Sequence, residues 1–125
     1  MTWEPTHPAE NERLALLAEE CAEVIQVIGK IQRHGIDSKN PDDPDALTNR
    51  ALLAVELGHV DAAMAILHRT GDVTASASAT ASRAKLQKLS DRWLHHATNI
   101  EAARWYLRAG AGSAESQEGS SSSRM

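Results

Sequence analysis

The chain has 125 residues, 42% of them hydrophobic, with no Phe, one cysteine and a formal net charge of −4. The lone Cys21 excludes an intrachain disulfide and a cysteine-based zinc site within one chain, and it fits a reducing compartment. The acidic balance argues against a dedicated nucleic-acid binder, which carries a basic stripe, but leaves anionic small molecules open as ligands.

Ala and Leu are abundant and β-branched runs are short, so helices are expected rather than strands. The first helix is expected to open at Pro8, a residue suited to the first helical position, with Glu10 and Glu12 in the acidic opening turn and Gly35 ending it. Leu14, Leu17, Cys21, Val24, Ile28 and Ile31 recur along it at the three-and-four spacing of a buried stripe. IDSKNPDDPD reads as a loop. A second helix is expected from Pro44, capped by Asp43, to Gly71, and it is apolar on more than one side.

A third helical segment spans about residues 74–96, firm only in RAKLQKLSDRWLHH because TASASATAS is weakly helical. Thr98 and Glu101 form a capping-box pattern that opens a short last helix, IEAARWYLRA. The expected fold is therefore all-α, a bundle of about four helices over residues 1–108. Residues 109–125 (AGAGSAESQEGSSSSRM) read as a disordered Gly/Ser-rich tail. The N-terminus has no basic leader region, and no stretch is read as approaching the ~20 apolar residues of a membrane helix. A cytoplasmic protein without a membrane or nucleic-acid partner is expected.

Chemistry concentrates on the first two helices. Glu20 and Glu23 are three apart and share their face with Leu16 and Val27, so two acids interrupt an apolar stripe. Asn49, Leu52, Glu56, His59 and Ala63 form a comparable stripe on the second helix. Carboxylates gathered on such faces repel one another, and burial raises the cost of each charge, so a cation would relieve the arrangement. Hard oxygen donors suit Mg2+, with Mn2+ as an alternative. Gly29 and Gly58, unfavourable inside helices, are expected to mark a close approach. An isolated Glu-x-x-Glu also fits a solvated helix face, and His59 also fits a core or surface histidine.

LAEECAEVIQVIGKIQRHG (residues 17–35), followed by LTNRALLAVELGHVDAAMAIL (residues 47–67), resembles the MazG-like all-alpha NTP pyrophosphohydrolases, especially their short phage-encoded members. That family carries Glu-x-x-Glu on one helix and Glu-x-x-Asp on the next. Glu20 and Glu23 match the first motif and Glu56 opens the second, but His59 stands where the aspartate is expected. Asp61 lies around 200° away on the helix and cannot take that place.

The resemblance implies Mg2+-dependent hydrolysis between the α and β phosphates of a (d)NTP, giving a (d)NMP and pyrophosphate, in the host cytoplasm if the protein is phage-encoded. In that reading Glu20, Glu23 and Glu56 are catalytic and, with His59, bind metal. A narrower form is the dGTP-preferring, MazZ-like kind. The family is dimeric or tetrameric, which implies a homodimer or homotetramer here.

Phosphate needs cations, and Lys30, Arg33, Lys85 and Lys88 are candidate grips on the triphosphate, Lys30 at a basic position that the resemblance also marks. Asn49 is a further candidate substrate contact, and Trp93 a candidate base-stacking residue that equally fits a core tryptophan. Two other classes stay open. One is a catalytically idle nucleotide-binding module marked by His59. The other is a carboxylate-bridged di-iron protein, suggested by Glu56-x-x-His59 but lacking the second such pair that architecture needs.

Overall fold

The structure, a computed structural model, describes residues 3–118, with side chains described to residue 110. Among the described residues it is all-helical, with four α-helices, one π-helical turn and no strand. The chain falls into two compact units, Met1–Val73 and Thr74–Met125.

In the first unit α1 spans Pro8–His34 and begins as expected, with proline at the first helical position. The His7 backbone N–H donates to Glu10 Oε2 at 3.3 Å, satisfying a group just before the helix. Gly35 ends the helix at φ 96°, a left-handed value that favours glycine, and its N–H donates to the Ile31 carbonyl at 2.8 Å.

The second helix, α2, spans Asn49–Thr70 and ends at Gly71 in the left-handed conformation. Its start differs from the expectation at Pro44. Asp43 instead organises a turn, accepting the Ala46 N–H on its carbonyl and the Asp45 N–H on its side chain at 3.1 and 3.0 Å. The helix is capped by Thr48, whose Oγ1 accepts the Ala51 N–H at 3.2 Å.

The two helices run antiparallel, tied at both ends. At one end the Asn49 N–H donates to the Ser38 carbonyl and the Arg50 N–H to that of Ile36, both at 2.8 Å. The buried Asn49 side chain also donates through Nδ2 to the Gly35 carbonyl at 3.0 Å. At the other end Arg13 pairs with Asp72. Val27, Ala63 and Leu67 are buried, flanked by half-buried Leu16, Leu17, Val24, Ile31, Leu52 and Val60.

This seam is rotated from the stripe expected on α1. Leu14, Cys21 and Ile28 are exposed, whereas the face carrying Leu16, Glu20, Glu23 and Val27 turns toward α2. The helix is apolar on two sides, and α2 covers only one of them. The glycines do not mark a close approach either. A Cβ at Gly58 would meet nothing within 4 Å, and one at Gly29 only the tip of Arg33. By length and composition α2 is also long and apolar enough to cross a membrane, contrary to the sequence expectation.

In the second unit α3 spans Ala75–Lys88, so the Ala/Ser stretch is helical after all, and Leu89–Trp93 form a π-helical turn. The Leu94 N–H donates to the Leu89 carbonyl, five residues back, at 2.9 Å. Helical structure therefore stops before His95 and His96. The last helix, α4, spans Ala97–Glu118. Thr98 lies inside it, and Glu101 pairs with Arg108 at 2.6 Å instead of closing a capping box. Of the expected tail, residues 109–118 continue this helix, and residues 119–125 lie outside the described residues.

Candidate metal centre

The seam that buries Val27 and Leu67 also brings four polar side chains together. Glu20 and Glu23 share one face of α1, Glu56 and His59 one face of α2, and each pair has the three-residue offset that makes helical residues neighbours. One donor atom from each of the four lies within 4.8 Å of the other three. All the residues expected to be catalytic or metal-binding thus meet at one place. Asp61 is exposed and outside the cluster, so the fourth position belongs to His59.

The contacts are tight and electrostatically one-sided. His59 Nδ1 lies 3.1 Å from Glu56 Oε2 and 3.4 Å from Glu20 Oε2. The Glu20 and Glu56 side chains are 16% and 17% exposed, so both carboxylates are largely withdrawn from water. The Oε2 atom of Glu20 is buried and has no hydrogen-bond partner among the described residues. The imidazole nitrogen of His59 lies near it but closer to Glu56.

A hydrogen bond to Glu56 pushes the Glu23 carboxyl above its ordinary pKa, aided by the Glu56 charge, by burial and by the charges of Glu20 and Glu19. A proton held between two carboxylates is what such crowding produces when no other cation is at hand. Three carboxylates, one of them with an orphaned buried oxygen, and one imidazole form a donor set that fits a divalent cation.

Toward the C-terminal end of α1 lies a cavity of about 920 Å³, lined by the cationic Lys30, Arg33 and Lys39, the acidic Asp43 and Asp45, and His34, Asn49 and Leu52 among others. Lys30 follows Glu23 by seven residues, or about 10 Å of helix, and Leu52 precedes Glu56 by one turn. Lys30, Arg33 and Asn49 thus share one cavity, although the Asn49 Nδ2 is spent on the Gly35 carbonyl and so has a structural duty. Lys85, Lys88 and Trp93 belong to the second unit, where all three are exposed; at 66% exposure Trp93 is not part of a core.

His34 and Lys39 were not singled out from the sequence. Their signal is the basic flanking of a loop rich in Asp, Asn and Pro, which becomes a cavity wall only once the loop folds back on α1. Compared with family models, curated proteins and solved structures, the chain matches none.

Proposed function

We propose that the chain is a metal-dependent nucleoside triphosphate pyrophosphohydrolase of the MazG-like kind. The observation that carries this reading is the convergence of Glu20, Glu23, Glu56 and His59 within 4.8 Å. The cavity farther along α1, where Lys30, Arg33 and Lys39 outnumber Asp43 and Asp45, supports it.

In this reading the four residues hold Mg2+ or Mn2+, which supplies charge neutralisation for the phosphates and for the leaving pyrophosphate. Lys30 and Arg33 bind nonbridging phosphate oxygens through charge-assisted hydrogen bonds. A carboxylate of the cluster orients water and accepts its proton as the oxygen bonds to the α phosphorus. The α–β bridging bond breaks, and pyrophosphate departs from the nucleoside monophosphate. A preference for dGTP is the narrower form of the proposal. Exposed Ile25, Ile28, Leu57 and Ile66 leave apolar surface on α1 and α2 that a second copy would cover, consistent with a homodimer or homotetramer.

The test is release of monophosphate and pyrophosphate from a panel of (d)NTPs in the presence of Mg2+ or Mn2+. Glu23→Gln should abolish turnover while keeping the helical spectrum; retained turnover would remove Glu23 from the site. Equal turnover of every nucleotide would remove the dGTP preference, and a monomer by light scattering the self-association. One observation favours a second reading, the idle nucleotide-binding module: His59 Nδ1 lies 3.1 Å from Glu56 Oε2 and 3.4 Å from Glu20 Oε2, an internal partner for the acids. Nucleotide binding without pyrophosphate release is its signature.

A further inference from the structure

We infer that His59 is itself a metal ligand through Nδ1, and that it shifts the preference of the centre from Mg2+ toward first-row transition dications, of which Mn2+ is the probe. The inference rests on the metal-centre reading above and concerns which ion the centre takes.

The His59 side chain is half exposed, yet its Nδ1 is turned inward onto two carboxylate oxygens, at 3.1 and 3.4 Å. One N–H cannot serve both, and Glu20 Oε2 in fact has no hydrogen bond. A dication among the four donors would take that oxygen, the Glu23–Glu56 pair and the imidazole nitrogen together. Among the described residues the cluster holds no fourth carboxylate to complete an all-oxygen set, and Asp61 is exposed on another face of α2.

Mg2+ favours oxygen donors and retains several waters, so it gains little from a nitrogen. Imidazole adds affinity along the series from Mn2+ to Cu2+, while three carboxylates keep the site suited to Mn2+. A ring nitrogen in place of a carboxylate at this position therefore alters the selectivity between ions and also leaves the donor set one negative charge poorer. The competing role for His59 is an internal partner for Glu56 and Glu20 that leaves them when metal arrives.

The experiment uses the full chain without nucleotide. Mn2+ and Mg2+ are titrated separately by calorimetry, and the Mn2+ complex is examined by pulsed electron paramagnetic resonance for nitrogen coupling. Expected are imidazole nitrogen modulation in the unmodified protein and its loss in His59→Asp and His59→Ala. The Mn2+-to-Mg2+ affinity ratio should fall by about tenfold or more in His59→Asp, as expected when a donor that tunes a metal is replaced.

Mn2+ binding without nitrogen coupling, with a ratio unchanged in His59→Asp, overturns the ligand role while leaving the hydrolase reading standing. Binding of neither ion, together with no pyrophosphate release, overturns both. The spectrum of the unmodified protein is informative whether or not the variants fold.

Discussion

Arg13 and Asp72, 59 positions apart, meet in a two-pronged ion pair: Arg13 Nη2 lies 2.8 Å from Asp72 Oδ1, and Nε donates to Oδ2. The pair closes the end of the hairpin opposite the Gly35–Asn49 junction, so each end of the antiparallel pair has its own polar tie. Between the ties the seam is apolar except at the four-residue cluster. The Arg13 and Asp72 side chains are about four-fifths shielded from water, and the matched fork geometry makes this more than a loose surface contact.

The hydrogen bond from Arg13 holds the Asp72 carboxyl below its ordinary pKa. A carboxyl whose folded pKa lies below its unfolded one adds stability at pH above the ordinary carboxylate range, and that stability is lost as pH falls through the folded value. Asp72→Asn is therefore expected to lower the melting temperature at pH 7. It should also flatten the loss of stability seen on acidification below about pH 4. Melting curves from pH 7 to pH 3 check both; parallel curves for the two proteins would show that the pair does not titrate with folding.

Glu23 has the opposite sign. Its folded pKa is raised, first by the hydrogen bond to Glu56, so without metal its contribution is most favourable below the unfolded value and weakens as pH rises through the folded one. Glu23→Gln, which keeps a donor toward Glu56 and removes the charge, should raise the melting temperature of the metal-free protein at pH 7. The gain should shrink on acidification toward pH 4 and reverse under saturating Mn2+, which stabilises the unmodified cluster. A Glu23→Gln protein less stable than the unmodified one in chelator would contradict the crowding of charge at this site.

Much of the first unit was legible in the sequence because its signals are local. Pro8, Gly35 and Gly71 act through the backbone conformations they permit, and the offset of three residues within Glu20–Glu23 and Glu56–His59 sets their faces without reference to the rest of the fold. The rotation of α1 was not legible. Leu14 and Ile28 offer as good an apolar stripe as Leu17 and Val24, and only the partner helix decides between them.

The start of α2 was a competition between two good caps. Asp43 ahead of Pro44 is spent on a turn, while Thr48 and the buried Asn49 lock the junction with α1. The cavity beside Lys30 depends on a loop path that no periodicity encodes. In the second unit, Thr98 and Glu101 have the spacing of a capping box, but the helix starts at Ala97 and carries both inside it.

Gly58 sits in the interior of α2, exposed, with open space where a Cβ would point. Alanine there costs no contact and gains helix propensity, so Gly58→Ala should stabilise the protein by about 1 kcal/mol. Denaturant melts with an unchanged m-value would register it. A loss of stability instead would mean that another surface approaches the glycine in solution.

Leu67 is 3% exposed and anchors the last turns of α2 against α1. With only Val27 and Ala63 beside it as buried hydrophobic residues among the described residues of this unit, the seam has little capacity to close around a deletion. Leu67→Ala is expected to cost about 2–5 kcal/mol, the range for truncating a buried leucine, and in so small a core that is enough to broaden or abolish cooperative melting. Urea titration followed by circular dichroism measures it, and a cost below about 1 kcal/mol would show that the hairpin seam is not the principal source of stability.

Lys30 and Arg33 share the cavity near the acid cluster with Asp43 and Asp45, and neither cation makes an ion pair among those found in the described residues, so their charges are available to a polyanion. If they grip the phosphates, Lys30→Ala and Arg33→Ala should each raise KM for the triphosphate about tenfold, the loss of one charge-assisted hydrogen bond at about 1.5 kcal/mol. The effect should shrink at high ionic strength, where exposed charges are screened. Mn2+ affinity in the absence of nucleotide should not change, because neither side chain belongs to the donor set. Steady-state kinetics at two salt concentrations, paired with the metal titration, separate the two roles. A change in Mn2+ affinity with KM unaltered would place these cations in the service of the metal centre rather than of the substrate.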